Sequence, residues 1–489
     1  MSTGKVALLE TRKPPAARVI YALLVLAVLC MAGVSFYLHL FDLTYYRFSF
    51  FDPTIVWLGC LVSLIAIFPL AARLKISRRA RIYIAAACIL VLGLGQLAVF
   101  LHAPFADFVP GDFFINFQAS QELYAKLSSP YSITGSISFP FPTYFIYWLS
   151  SLGGSLSMNR SFVSFLVLNL LAWFIAAIVL WKHFQFGRID AYGRSLLVLF
   201  LLNSSAFDAI TGNGQTTVFV MLALVVMLVA FSKESSKWFL AGGACAGIAV
   251  LIKPQAALIL LGLLVILCYN LWHRRSCKPL LVSIAGAVGV IVLLISVSLW
   301  FPAGLRVEFY GEFFGKVLPT LNDPAQSGVQ TSFEIIRGNA SPVALMVWLV
   351  SSLLGANVRG LSIVITILAV GFFIVAVIKT ARLPLSIAML PWLFAPLLVT
   401  NLTWAYSGAW ILPACLFMIS RFLQREKNAA AVIICFTSYA FMRVGVNILF
   451  LVSVGTLLVL FLRYFVDAQA SEKFLPVVTG RADEVPQVA

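Results

Sequence analysis

Residues 279–301 read PLLVSIAGAVGVIVLLISVSLWF, without one charged side chain. A helix of that length reaches across roughly 30 Å of hydrocarbon. Runs of this kind recur from end to end, separated by short polar or basic interruptions. A spanning segment must satisfy its backbone hydrogen bonds internally, which leaves helices for runs this long. The expected fold is therefore all-α, a polytopic transmembrane helical bundle. Composition agrees, with 62% hydrophobic and 11% charged residues, against about half and about a quarter in soluble domains.

The formal net charge of +16 would point to nucleic acid in a soluble protein. Here the basic residues fall in short clusters between apolar runs, where they orient helices, so no nucleic-acid partner is expected. Basic clusters mark the cytoplasmic side. They are the N-terminal tail with Lys5, Arg12, Lys13 and Arg18, then 73–81, 182–194, 232–237, 272–278, 379–382 and 421–427. Placing all of them inside puts spans near 19–40, 54–72, 81–103, 159–181, 195–211, 215–231, 238–252 and 255–271. Further spans follow near 279–301, 360–378, 384–401, 406–420, 428–443 and 446–463. The first is expected to be a retained signal-anchor helix. The total is about 14 spans, within a range of about 12–16, with both termini inside.

Two apolar pieces, 139–152 and 342–355, are short for a span and are expected to be juxtamembrane or re-entrant helices. They lie in two large extracytoplasmic loops, 104–158 and 302–359. Loops of this kind on one face of a rigid scaffold are where a site is built.

Cysteines and histidines carry no site signal. Cys30, Cys60, Cys88, Cys245, Cys268, Cys415 and Cys435 sit in apolar runs without CxxC spacing, as small core residues do. His39, His102, His183 and His273 form no zinc pattern. No Asp-x-Asp motif or glycine-rich phosphate loop stands out, and the acids do not cluster. Metal-independent chemistry without a cofactor is expected.

Polar residues at membrane depth are costly and mark pathways or sites. The topology brings several to the outer face. These are Asp112, Asn116 and Glu122 in the first loop; Asp208, Asn213 and Gln215 around TGNGQTT; and Lys253 and Gln255 in LIKPQAAL. The second loop adds Asn322, Gln330, Glu334 and Arg337. An acid, several amides and one or two cations on a membrane surface suit a lipid-phosphate substrate. The cation and donors hold the phosphate, and the acid handles a proton. Each residue also has a purely structural reading. Asp112 follows Pro-Gly and suits a helix N-cap, Lys253 suits a snorkelling cation, GNGQ suits a tight turn, and Arg337 suits a solvated loop. The small residues of AGGACAGIAV (241–250) suit close helix packing.

The ordered set GDFFINFQASQELYAKLSSPYS, FPFPTYFIYWLSSL, TGNGQTTVFV, LAGGACAGIAVLIKPQAALILL and VQTSFEIIRG, over about residues 81 to 340, resembles a known family. It is similar to GT-C integral-membrane glycosyltransferases, and specifically to glycosyltransferase family 87, the polyprenol-phosphate-mannose-dependent alpha-mannosyltransferases. The resemblance implies a GT-C-type bundle acting by inversion on the outer face. Its donor would be a polyprenyl-phosphate-linked sugar, mannose before a pentose such as arabinose, and its acceptor a lipid or glycan. Asp112 matches the first-loop general base, with Asp107 as its rival. Lys253 would neutralise the donor phosphate, with Arg337, while Gln215, Asn213, Gln330, Asn116 and Gln255 would bind sugar or phosphate. The region VTNLTWAYSGAWILP keeps Trp404 but lacks the family's Ser-Pro and His.

The implied organisation is a tail and two extra helices over 1–80, then a catalytic module over 81–340. C-terminal helices over 341–465 and a disordered cytoplasmic tail over 466–489 complete it. The implied location is a bacterial inner membrane with a periplasmic site. A competing reading is a transporter or flippase of a lipid-linked saccharide. Such proteins tend to carry internal repeats and broken mid-membrane helices, and no repeat is evident.

Overall fold

The computed structural model describes residues 111–133, 138–202, 214–300, 306–318, 341–354, 361–400, 405–424, 429–442 and 447–466, with isolated residues between 77 and 136. The expected spans 19–40 and 54–72 lie outside the described residues, and of 81–103 only Tyr83, Ala86 and Ile89 are described, all helical. Among the described residues there is no strand. The chain is all-helical, and it is an integral membrane protein. Four described helices are long and apolar enough to cross a membrane: Met158–His183, Pro254–Trp272, Lys278–Ser298 and Ile363–Arg382.

The scaffold of the site is a set of eight consecutive described helices. α1 (Gly111–Ala125) and the short α2 (Thr143–Ser150) precede α3 (Met158–His183) and α4 (Ala191–Leu202). α5 (Thr217–Phe231), α6 (Ser236–Ile252), α7 (Ala257–Trp272) and α8 (Lys278–Ser298) follow. The starts of α3 and α5 share one end of the bundle with the C-terminus of α6 and the start of α7: Phe113 packs on Phe162 and Phe165, Tyr147 bonds the Gly214 carbonyl, and Thr143 bonds the Ile252 carbonyl just before α7. The basic turns at 182–194, 232–237 and 272–278 fall at the opposite end.

α5 is apolar on every side and buried on nearly every side, from Val218 to Phe231. A helix of that kind belongs at the centre of a bundle. α6 lies against α8 closely enough that a Cβ on Gly243 would overlap the Ser283 carbonyl, and one on Gly286 the Leu240 carbonyl. Without an apolar–water contrast between helices in lipid, such close backbone approach supplies the packing. The small residues of 241–250 do the structural work expected of them.

The C-terminal part differs from expectation. The run 384–401 holds one shorter apolar helical stretch, Leu385–Leu398, that is irregular inside: α turns Leu385–Ala388 and Ala395–Leu398 flank a 3-10 segment Pro391–Phe394. Pro391 and Pro396 remove backbone donors and crowd the preceding turn. The irregular segment is tolerated because it is buried in protein: Trp392, Leu393 and Phe394 are all in the core. Likewise 406–420 begins as a 3-10 stretch, Ala405–Ile411, before the helix Leu412–Gln424.

Of the two short apolar pieces, α2 has 8 residues and Pro342–Leu354 has 13. At about 1.5 Å per residue neither crosses about 30 Å of hydrocarbon. A separate aromatic cluster covers the site end of the bundle. It packs Tyr124, Phe139 and Tyr144 of the first loop against Phe309, Tyr310 and Phe313. Ser129 Oγ adds a hydrogen bond to Glu312 Oε2 at 2.6 Å.

Candidate active site

α1 begins at Gly111, so Asp112 lies in its first turn rather than at the cap. Phe113, Asn116, Ser120 and Leu123 recur at helical spacing and form its buried stripe. Asp112 stands at the edge of that stripe, where a carboxylate also suits the positive end of the helix dipole. Its side chain is spent on a distant residue: Gln215 Nε2 donates to Asp112 Oδ2 at 2.7 Å, across 103 positions of sequence. The reading of Asp112 as only a cap does not describe this contact.

Gln215 follows a turn that requires glycine. Gly214 has φ +60°, and a Cβ there would sit 2.6 Å from Phe113 Cβ. A side chain at that position meets both the left-handed backbone penalty and a packed ring. Phe113 is itself wedged among Tyr147, Phe162 and Phe165, with ring centroids 5.0–5.6 Å away. The start of α1 is therefore locked against the turn that presents Gln215.

Lys253 completes the set. Pro254 disfavours helical backbone at the residue before it. α6 accordingly ends at Ile252, and Lys253 is extended, with φ −137° and ψ 104°. Its Nζ donates to Gln215 Oε1 at 2.6 Å. Burial pulls the Lys253 ammonium down to about 8, and the charge of Asp112 opposes that shift. Asp112, Gln215 and Lys253 thus form one hydrogen-bonded line built from three separate segments.

α2 holds two of those segments, a role the sequence reading missed. Thr143 Oγ1 donates to the Ile252 carbonyl at 2.9 Å and the Leu251 carbonyl at 3.4 Å, the last turn before Lys253. One helical turn on, Tyr147 donates its hydroxyl to the Gly214 carbonyl at 2.9 Å, just before Gln215. The available signal was a Thr and a Tyr four residues apart, and so on one face, in a short aromatic helix. A buried hydroxyl there needs a partner.

The other expected ligands fare differently. Asn116 is committed internally: Nδ2 donates to the Asp112 carbonyl at 2.6 Å, and Oδ1 accepts from Ser138 at 3.0 Å. Gln255 lies in the 3-10 turn Pro254–Ala256, and its buried Oε1 has no hydrogen bond among the described residues. Glu122 forms an i,i+4 ion pair with Lys126 at 2.6 Å. Asn213, Gln330, Arg337, Asp107, Asp208, Asn322, Glu334 and Trp404 lie outside the described residues. Among the described residues no group of three His, Cys, Asp or Glu gathers as metal ligands do.

Residues 142–300 match the family model of dolichyl-phosphate-mannose-protein mannosyltransferases. The match covers about a third of the chain and includes Thr143, Tyr147, Gln215 and Lys253, while Asp112 precedes it. Comparison with curated proteins and with solved structures gives no match. The matched family is of GT-C type, so over residues 142–300 the chain is similar to integral-membrane glycosyltransferases of that superfamily.

Proposed function

We propose that the protein is an inverting glycosyltransferase that moves one sugar from a polyprenyl-phosphate donor to a hydroxyl of a lipid or glycan acceptor. Mannose is the favoured sugar, on the matched family's description and the family-87 motifs, and a pentose such as arabinose is the second. The observation that carries the reading is the Asp112–Gln215–Lys253 line. It sets an acid and a cation on one short path at the bundle end opposite the basic turns.

Asp112 takes the proton of the acceptor hydroxyl as that oxygen attacks the anomeric carbon. The bond from the anomeric carbon to the phosphate oxygen breaks, and the polyprenyl phosphate leaves with the bonding electrons. Lys253 neutralises the charge that grows on the departing phosphate. Attack opposite the leaving group inverts the anomeric centre. One carboxylate suffices, unlike the two that flank the scissile bond in most hydrolases. The implied setting is the periplasmic face of a bacterial inner membrane.

The test is transfer by purified protein from a panel of labelled polyprenyl-phosphate sugars, mannose and arabinose included, with the product analysed for a new glycosidic bond. Transfer from mannose alone supports the finer reading. No glycosidic product from any donor, with lipid-linked sugar moved between leaflets instead, would establish a flippase and sink the proposal.

A further inference from the structure

Gln215 was expected to bind sugar or phosphate, but both ends of its amide are already occupied. A carboxylate only accepts hydrogen bonds and an ammonium only donates. An amide between them has one orientation that satisfies both, nitrogen towards Asp112 and oxygen towards Lys253, and that is the one found. Gln215 is 6% exposed, and Thr216 and Thr217 beside it are fully buried. The backbone behind it is fixed by the Tyr147 hydroxyl on the Gly214 carbonyl and by Phe113, which fills the place a Cβ on Gly214 would take. A side chain this confined is poorly placed to follow a ligand. It is well placed to hold a neighbour.

We infer that Gln215 is a positioning residue for the base: by holding Asp112 Oδ2, its amide leaves Oδ1 as the oxygen that receives the acceptor proton, and keeps Lys253 from collapsing onto the carboxylate. The second part follows from charge. With the amide gone, an ammonium and a carboxylate on either side of a short gap attract each other directly. A direct pair would draw Lys253 off the phosphate path and occupy the base. The inference rests on the proposed transferase reading and adds to it the assignment of the working oxygen.

The experiment compares kcat and donor KM for wild type, Gln215→Met, Gln215→Asn and Asp112→Asn with polyprenyl-phosphate mannose, after thermal melts establish that each variant is folded. Methionine keeps the length and apolar bulk of glutamine but has no amide; asparagine keeps the amide on a shorter stem. The expected result is a kcat about a hundredfold lower for Gln215→Met, the size of loss that follows misplacement of a reacting group by about 1 Å. Donor KM should rise as well, because Lys253 is drawn off the phosphate, but by no more than in Lys253→Ala, and Gln215→Asn should recover part of kcat. A raised donor KM with kcat retained would make Gln215 a donor ligand and overturn the inference. So would unchanged kinetics in Gln215→Met, or a Gln215→Asn variant no better than Met. Those outcomes leave the transferase reading standing, provided wild type transfers and Asp112→Asn does not. A wild type that transfers nothing overturns both.

Discussion

The two ends of α1 each set a carboxylate near a lysine. At the C-terminal end Glu122 accepts from Lys126 at 2.6 Å, four residues on, with the lysine side chain 64% exposed. At the N-terminal end Asp112 reaches Lys253 only through Gln215, with bonds of 2.7 and 2.6 Å. The bond lengths are alike. The surroundings are not: the first pair is a local helix-surface contact that water and salt screen, whereas the second draws together segments more than 100 and about 40 positions apart, as Gln215 Nε2 on Asp112 and Lys253 on Gln215. Burial also lowers the pKa of Lys253, to about 8. Short distance alone does not mark a site. A chain that brings distant polar groups to one partly buried point does.

That contrast can be broken most sharply by neutralising each acid without changing its shape. Asp112→Asn is expected to lower kcat by about a hundredfold or more, the contribution typical of a positioned general base. Glu122→Gln is the counterpart and should stay within about twofold of wild type, as solvated ion pairs contribute little. Equal losses in the two variants, read as initial rates of labelled-sugar transfer, would erase the distinction.

Next in size is Lys253→Ala, which should raise donor KM by about tenfold to a hundredfold, the range of a hydrogen bond to a charged group. Donor kinetics left at wild-type values would remove its phosphate role. Its charge also carries a pH signature. Lys253 is a cation below about 8 and loses its charge above, so donor KM should climb as pH rises past that value. Lys253→Arg keeps its charge far higher, and its KM profile should be flatter across the same interval.

The smallest expected effect among the site variants tests the clamp. Tyr147→Phe removes the bond to the Gly214 carbonyl and leaves that acceptor in a buried place. A cost of about 1–3 kcal/mol follows, visible as a lower melting temperature, together with a fall in kcat of several-fold. A variant with full stability and full activity would show that the aromatic packing around Phe113 holds the turn by itself.

Much of this was legible in the sequence because charge placement and apolar length are local properties. The helices Met158–His183, Ser236–Ile252 and Lys278–Ser298 end within three residues of the spans expected from 159–181, 238–252 and 279–301, since a basic cluster or a polar turn bounds each run. The irregularity within 384–401 had its signal in Pro391 and Pro396, overruled by an apolar run that looked regular. Asp112, Gln215 and Lys253 stood out as polar residues at the margins of membrane-spanning runs, where polarity is expensive.

By itself, then, the sequence determined the all-helical class and the approximate limits of the runs Met158–His183, Ser236–Ile252 and Lys278–Ser298, and it pointed to Asp112, Gln215 and Lys253 as polar residues at the margins of such runs. It could not say which of them touch. Thr143 holds a carbonyl 109 positions away and Tyr147 one 67 positions away; their spacing marks one helix face but not the partners they reach. Nor could it say that Asn116 would turn inward or that Gln215 would lie between acid and cation. Hydrophobic length is summed along the chain and can be read there. A hydrogen bond between distant segments depends on how closely the helices pack, and only the tertiary structure decides that.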